Sequence, residues 1–228
     1  MVGAQLDGFD TMVHLTEEND FMVLEGDEYL SSPIDRRPKF HLYQPNIALI
    51  SGIAWDHINV FPTYDNYVEQ FEIFIDKITN GGILVYNEDD AEVKRVSEAA
   101  TNPIRKLPYG TPAYTVSDGV TLLETPEGPM PIEVFGAHNL NNLAGAKWIC
   151  QNMGVDEADF YEAIASFKGA SKRLEKIAEG KGRVAYKDFA HSPSKVAATT
   201  KAVKEQYPNR TLVACLELHT YSSLNAEF

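Results

Sequence analysis

Short apolar runs, separated by helical patterns and acidic turns, organise the first part of the chain. Residues 21–24, 47–53 and Ile83–Asn87 are such runs. Apolar runs of this length bounded by polar breakers predict strands buried on both faces, as in a parallel sheet. Thr63 is a candidate N-cap, and apolar residues recur at helical spacing between 67 and 78. This alternation of strand and helix predicts a βαβ unit.

The pattern changes to short alternating strands in the middle of the chain. Residues 113–116, 120–123 and 131–135 alternate apolar and polar positions. The first two runs are separated by a turn that contains Asp118-Gly119, and aspartate–glycine between such runs is a strong hairpin signal. We therefore expect a small antiparallel ribbon after the parallel part of the sheet.

A second α/β unit is predicted near the carboxyl end. Helical patterns through about residue 153 and over 157–167 lead into a cationic, glycine-containing segment at 168–175, which is the candidate linker. A strand at 183–186, a helix through about residue 206 and another parallel strand at 211–217 would follow. The fold class is thus α/β, with a first domain over 1–170 and a second over 171–228.

Composition limits the functions that are open to the chain. Its 228 residues carry a formal charge of -13, which argues against a nucleic-acid partner because no basic patch is available for phosphates. No apolar stretch approaches the ~18 residues needed to span a membrane. Cys150 and Cys215 lie in a helical and a strand pattern, so we expect buried thiols in a reducing, cytoplasmic compartment.

Two of the predicted strands end in side chains suited to a metal ion. Glu25, Asp27 and Glu28 follow the run at 21–24, and Asp56-His57 follows the run at 47–53. Ligands gather outside the carboxyl ends of strands in open α/β sheets. The pattern fits a divalent-metal site, and it fits equally well a solvated acidic loop beside a turn histidine.

Further polar residues suit a nucleotide. Asn139 and Asn142 share a helix face, and side-chain amides can pair with adenine, although N-capping is the alternative. Arg173 follows a glycine and is either a phosphate contact or a solvated cation. Asp188 ends a strand and is a candidate ribose ligand or a turn residue, with His191 close enough to pack beside a base.

The chain contains no complete phosphate-binding loop. Gly3 and Gly8 have the required glycine spacing, but Phe9-Asp10 stands where lysine and serine or threonine are needed. A final strand near 211–217 also leaves a sheet unfinished. We therefore expect a piece of a longer chain, which by itself is inactive and binds metal weakly.

The order of these motifs resembles the Mur ligases, the ATP-dependent amide ligases of peptidoglycan synthesis. E-x-D-E-Y, D-H, G-x-H-N-x-x-N, F-x-G-x-x-x-R-x-E and D-F-A-H-S-P follow one another along the whole chain. The resemblance implies the distal part of the central ATP-binding domain over 1–170. It also implies that 171–228 begins a Rossmann-like, amino-substrate domain.

The resemblance gives roles to the metal and adenine candidates. Glu25 matches a glutamate that holds Mg²⁺ beside the ATP phosphates, and His57 matches a histidine that serves a second Mg²⁺. Asn139 and Asn142 match the adenine-side asparagines.

The other candidates match residues at the junction of the two domains. Arg173 matches the arginine that contacts the ATP phosphates, Asp188 matches the ribose-binding aspartate, and His191 lies in the same nucleotide cleft. The implied catalytic residues are His57 and Arg173.

Within the family, the sequence is most similar to the branch that acts on UDP-N-acetylmuramate. The residues at 25–29, 35–40 and 56–62 favour a recycled tripeptide as the amine donor, and Lys187 weighs against L-alanine. The implied reaction joins the amine to the muramoyl carboxylate through an acyl phosphate. L-alanine addition, folylpolyglutamate-type ligation (disfavoured near Glu25 and His57) and a non-catalytic nucleotide-binding fragment are the alternatives.

Overall fold

A three-stranded parallel sheet is the base of the structure. The computed structural model describes residues 10–218. Strands β1 (Ile47–Ile50), β2 (Ile83–Asn87) and β3 (Arg105–Tyr109) lie side by side in that order. The sheet confirms the predicted parallel α/β class.

Helices cover both faces of this sheet. Helix α1 (Tyr64–Asp76) and helix α2 (Ala91–Ala99) pack with β1 and β2 in the largest apolar cluster, where Leu84 and Ile75 are fully buried. Helix α3 (Ala137–Asn152) lies on the other face, where Gly145 allows close approach to Leu49 and Tyr109.

Side-chain caps fix where α1 and α2 begin. Thr63 accepts a hydrogen bond from the Asn66 amide at 3.2 Å, as predicted for an N-cap. Asp90 accepts from the amides of Glu92 and Val93, both at 3.0 Å. Its second oxygen accepts from the Ile53 amide at 3.1 Å, so this carboxylate also fixes the segment that follows β1.

The predicted antiparallel ribbon is present with shifted bounds. It consists of β4 (Tyr114–Ser117), β5 (Val120–Thr125) and β6 (Gly128–Ile132). Asp118 and Gly119 both have positive φ, 52° and 78°, which suits a tight hairpin turn that follows the strand twist. The third strand ends at residue 132 rather than 135, because its register with β5 runs only from Gly128 to Ile132.

The remaining elements join the ribbon to the carboxyl-terminal part. Helix α4 (Glu157–Ala165) packs with α3 and the ribbon around Leu123, Leu140 and Phe160. An antiparallel hairpin of β7 (Glu175–Gly180) and β8 (Arg183–Lys187) follows, and then α5 (Pro193–Gln206). The domain boundary at 170/171 stays a prediction.

Several predicted features are wrong, and two of them are apolar runs that do not form strands. Residues 21–24 and 211–217 form no strand, and neither segment joins the sheets of the described residues. Val213 is 87% exposed, and the side chains of 21–24 are exposed as well. The strand at 183–186 pairs antiparallel with β7 rather than parallel with 211–217. Cys215 is exposed, and only Cys150 is partly buried, where burial raises the pKa of its thiol.

Two strands were not predicted. β3 (Arg105–Tyr109) contains Pro108 and two charged residues, and β7 carries charged residues at 175, 176 and 179. Such strands lack an apolar run, so only their pairing reveals them. No helix in residues 10–218 is long and apolar enough to cross a membrane.

Candidate functional site

A cleft of about 740 Å³ lies beyond the carboxyl end of β1, between α3 and the start of α5. Five predicted site residues line it, from segments far apart in sequence: Glu25, Asn139, Asn142, Arg173 and Asp188. Sequence analysis missed other lining residues, among them Ser51, His138, Lys195 and Thr199. The cleft thus combines two carboxylates, two cations and two asparagine amides.

The amino end of α3 presents the asparagines to this cleft. Gly136 precedes the helix with φ of 87°, and a β-carbon there would collide with Ala202 of α5. Glycine is therefore required for both its conformation and its close contact. Asn139 donates to the Phe135 carbonyl at 2.9 Å, and Asn142 is exposed.

Asn141, which lies between them, is turned the other way and is buried against the sheet. Its amide lies 3.0 Å from the Asn87 side-chain oxygen, 3.3 Å from Asp89 Oδ2 and 3.2 Å from Thr111 Oγ1. Asn87 donates in turn to the Ser51 carbonyl at 2.9 Å. This network connects the carboxyl ends of all three parallel strands to the amino-terminal half of α3.

Asp188 has the turn-forming role that was one of its two predicted readings, while also lining the cleft. Its Oδ1 accepts from the Ala190 amide at 2.6 Å, and its Oδ2 accepts from the Leu174 amide at 2.7 Å. Leu174 has φ of 47°, a left-handed conformation that a branched side chain seldom adopts. The Asp188 carboxylate therefore holds the predicted linker against the end of β8.

Two cations face the cleft from the carboxyl-terminal part. Arg173 is exposed, and its guanidinium lies 5.7 Å from the centre of the Phe189 ring. Lys195 Nζ lies 3.4 Å from Asp56 Oδ2 across 139 residues of sequence. Sequence analysis missed Lys195 because a lysine in the first turn of an amphipathic helix has no distinguishing pattern.

His191 is not among the residues that line the cleft. Its Nδ1 lies 2.8 Å from the Phe189 carbonyl oxygen, and its ring packs edge-on against the Phe189 ring at 5.1 Å. In this arrangement the imidazole supports the turn after β8. Its role beside a base stays a prediction.

His57 lies beside Glu28 rather than in the cleft. The His57 Nε2 to Glu28 Oε1 distance is 3.5 Å, and Tyr67 donates to the same oxygen at 3.3 Å. The hydrogen bond with Glu28 outweighs burial and raises the pKa of His57. Burial is the largest influence on Glu28 and opposes its ionisation, but the hydrogen bond from His57, a backbone hydrogen bond and the charge of His57 together lower the pKa of that carboxyl.

The predicted metal ligands do not form a metal site by themselves. Glu25 is exposed and lines the cleft. His57 instead contacts Glu28, and its ring packs at a tilt against the Tyr29 ring, with the ring centres 4.8 Å apart. Between residues 10 and 218, no group of three or more histidine, cysteine, aspartate or glutamate side chains is arranged to hold a metal ion. The roles of Glu25 and His57 toward Mg²⁺ therefore stay predictions.

Comparison with known proteins identifies the family. The sequence profile of the Mur ligase middle domain matches residues 5–150. The chain belongs to the Mur ligase family. This confirms the resemblance that the motifs indicated, and the matched range contains Glu25, His57 and both cleft asparagines.

Curated relatives of this Mur ligase chain are named for two amine donors. It is 29% identical to the UDP-N-acetylmuramate–L-alanine ligase of Roseiflexus, over 90% of this chain and 48% of that protein. It is also 29% identical to the Escherichia coli UDP-N-acetylmuramate–L-alanyl-gamma-D-glutamyl-meso-2,6-diaminoheptandioate ligase, over 90% of this chain and 46% of that protein. The chain thus spans about half the length of the curated relatives it matches.

Solved structures agree with the fold. A murein peptide ligase of Psychrobacter arcticus superposes with a TM-score of 0.59 and 20% identity, over 87% of this chain and 44% of that one. The UDP-N-acetylmuramate-alanine ligase of Thermotoga maritima gives a TM-score of 0.58 and 17% identity, over 77% and 44%. These matches support the Mur ligase architecture of the described residues.

The two neighbouring asparagines of α3 should have separate effects on stability. Asn141→Leu removes the donor to three buried or partly buried oxygens, so we expect the free energy of unfolding to fall by about 1–3 kcal/mol. Asn142→Leu is the matched control at an exposed position, with an expected change within about 0.5 kcal/mol. Urea denaturation measures both, and equal losses would contradict the network.

The structure predicts pKa shifts of opposite sign for His57, which pairs with Glu28, and for His41. His57 should titrate above the ordinary value of about 6.5 and His41, whose pKa is lowered by burial, below it. The pair stabilises the fold fully between the unfolded pKa values of 4.5 for Glu28 and 6.5 for His57. Its contribution is lost as pH rises through the folded pKa of His57 and as pH falls through the folded pKa of Glu28. NMR titration of the imidazole protons measures both values.

Glu28→Gln tests the cause of the raised pKa. We expect it to lower the pKa of His57 and to leave that of His41 unchanged. Glu162→Gln, on the exposed side of α4, is the control and should change neither. An unchanged pKa for His57 in Glu28→Gln would show that the carboxylate is not its partner.

Proposed function

We propose that this chain supplies one side of the ATP cleft of a ligase that acts on UDP-N-acetylmuramate. The observation that carries the proposal is the convergence of Asn139, Asn142, Arg173 and Asp188 on one cleft beside the parallel sheet. Membership of the Mur ligase family supports ATP as the co-substrate. The curated names of the relatives support UDP-N-acetylmuramate as the carboxylate substrate.

The cleft suits the separate parts of an adenine nucleotide. Asn142 offers an exposed amide, which has both a donor and an acceptor for the adenine edge. Arg173 lies at the other wall and offers a guanidinium that matches phosphate oxygens. Asp188 Oδ1 accepts from the Ala190 amide and, at 3.4 Å, from the Thr199 hydroxyl, whereas Oδ2 accepts from the Leu174 amide. The second lone pair of Oδ2 suits a ribose hydroxyl.

In the proposed reaction, ATP phosphorylates the lactyl carboxylate of UDP-N-acetylmuramate. The incoming amine then attacks the acyl carbon, and phosphate leaves as the amide bond forms. Mg²⁺ would neutralise the phosphate oxygens, and Glu25 is the carboxylate in the cleft that would hold it. Arg173 would contact the phosphates from the carboxyl-terminal side.

The tripeptide is our proposed amine donor, and L-alanine is the alternative. The residues at 25–29, 35–40 and 56–62 favour the tripeptide, as does Lys187. Relatives named as L-alanine ligases, such as that of Desulfotalea psychrophila at 31% identity over the whole chain and 50% of that protein, favour the alternative. A non-catalytic nucleotide-binding role is the alternative from another functional class.

Titration with ATP tests the cleft directly. We expect ATP with Mg²⁺ to shift the NMR signals of the α3 and Arg173 side chains weakly, and GTP to shift them less. Asn142→Leu should weaken ATP binding about tenfold, because the adenine edge loses its partner. Lys201→Met on the exposed face of α5 is the control. Absence of any ATP-dependent shift, or equal shifts with GTP, would contradict the nucleotide site.

The amine donor is identified with a protein that contains these 228 residues and is as long as the full-length relatives. Phosphate release is measured with ATP, UDP-N-acetylmuramate and either the tripeptide or L-alanine in parallel. We expect release with the tripeptide. Release with L-alanine alone would favour the alternative, and inactivity with both would overturn the muramate assignment.

A further inference from the structure

Helix α5 is held to the rest of the chain at its carboxyl end by a buried polar contact. Gln206 Oε1 accepts from Thr121 Oγ1 at 3.0 Å, and Gln206 Nε2 donates to the Gly119 carbonyl at 2.5 Å. Thr121 is fully buried and Gln206 is 6% exposed. We call this contact of Gln206 with Gly119 and Thr121 the anchor.

The hairpin turn of the ribbon is shaped to receive this end of the helix. Gly119 lies against the Tyr207 ring, where a β-carbon would come within 3.2 Å of Cε1, and its φ is 78°. Further from the turn, at the start of β4, Tyr114 donates to Glu205 Oε1 at 2.8 Å, and burial and this bond raise the pKa of Tyr114 to about 12. The Asp118-Gly119 turn therefore has a packing role that its sequence signal did not reveal.

The amino end of α5 is held by a weaker contact. Lys195 Nζ lies 3.4 Å from Asp56 Oδ2, and the lysine side chain is 49% exposed. Asp56 is buried, but its Oδ1 accepts from the His57 amide at 2.8 Å, so it keeps a partner without the lysine. We call the Lys195–Asp56 ion pair the latch.

The two contacts differ in their exposure to water and salt. A buried, doubly hydrogen-bonded amide is costly to expose, because its partners lose their bonds in a low-dielectric site. An ion pair with a half-exposed lysine is screened by salt and contributes little. Since Lys195 also lines the cleft, loss of the latch alone would open the cleft at the side where α5 begins.

We propose that α5 turns about the anchor, and that release of the latch opens the cleft while the anchor stays closed. The inference rests on the proposed function to the extent that the opened cleft is the nucleotide cleft. The proposal makes Lys195 and Gln206 positioning residues. Lys195 controls access to the cleft, and Gln206 holds the carboxyl-terminal part in place.

Hydrogen–deuterium exchange of the whole chain, read by mass spectrometry, tests this order of opening. In Lys195→Met, exchange should rise about two- to fivefold in peptides over 194–200 and 52–57, which corresponds to the loss of a partly exposed ion pair. Peptides over 119–125 and 203–207 should be unchanged. In Gln206→Leu, exchange should rise about tenfold or more along all of α5.

Two controls separate the latch from general loosening. Lys201→Met removes an exposed lysine from the same helix and should leave every peptide unchanged. High salt on the unsubstituted chain should reproduce the Lys195→Met pattern, which keeps the test valid if Gln206→Leu does not fold. A rise confined to α5 without 52–57, or a rise along all of α5 in Lys195→Met, would overturn the proposal.

The outcome is independent of ligand binding. If exchange follows the expected pattern and ATP does not bind, the roles of the latch and the anchor are supported and the assignment of a nucleotide site is wrong. If ATP binds but Lys195→Met changes no peptide, the latch falls and the nucleotide assignment stands.

Discussion

The buried amide network at the carboxyl edge of the parallel sheet is the constraint on which the site depends. Asn87 bonds to the carbonyl of Ser51, and Asn141 bonds to Asn87, so three strand ends and one helix share a few hydrogen bonds. Such a network has little freedom, because any shift of α3 would leave a buried polar group without a partner. The direction in which Asn139 and Asn142 point follows from it.

The cleft depends equally on the Asp188 carboxylate, which accepts hydrogen bonds from two backbone amides. Asp188 accepts hydrogen bonds from the backbone amides of Leu174 and Ala190, and thereby fixes the residue that follows Arg173 against the end of β8. Asp188 forms the turn and also lines the cleft, so its turn-forming role does not exclude the proposed contact with a ribose. A carboxylate that backbone amides already orient needs no further ordering before it accepts a hydrogen bond from a hydroxyl group.

Much of this could be predicted, and the failures have a common physical cause. The caps at Thr63 and Asp90, the parallel β1 and β2, and the Asp118-Gly119 hairpin are local signals, and local chemistry decides them. Whether residues 21–24 or 211–217 pair with another strand depends on what lies beside them, which an apolar run does not specify.

The same distinction applies to the site. Asn139, Asn142, Arg173 and Asp188 could be found because each stands in a motif, and motif order identified the family. Lys195 and Asn141 could not, since their significance lies in partners 139 and 54 residues away in sequence.

The positions of these long-range contacts explain why a cleft forms here at all. Up to residue 218, the carboxyl-terminal part consists of a two-stranded hairpin, α5 and an irregular segment. A small apolar cluster of Phe135, Leu174 and Ala202 joins it to the rest of the described chain. A contact of that size is stabilised as much by directed polar bonds as by buried area. In such an interface, a gap remains wherever no polar contact holds the two parts together. The cleft occupies that gap, between the sheet edge fixed by Asn141 and the helix seated by Gln206.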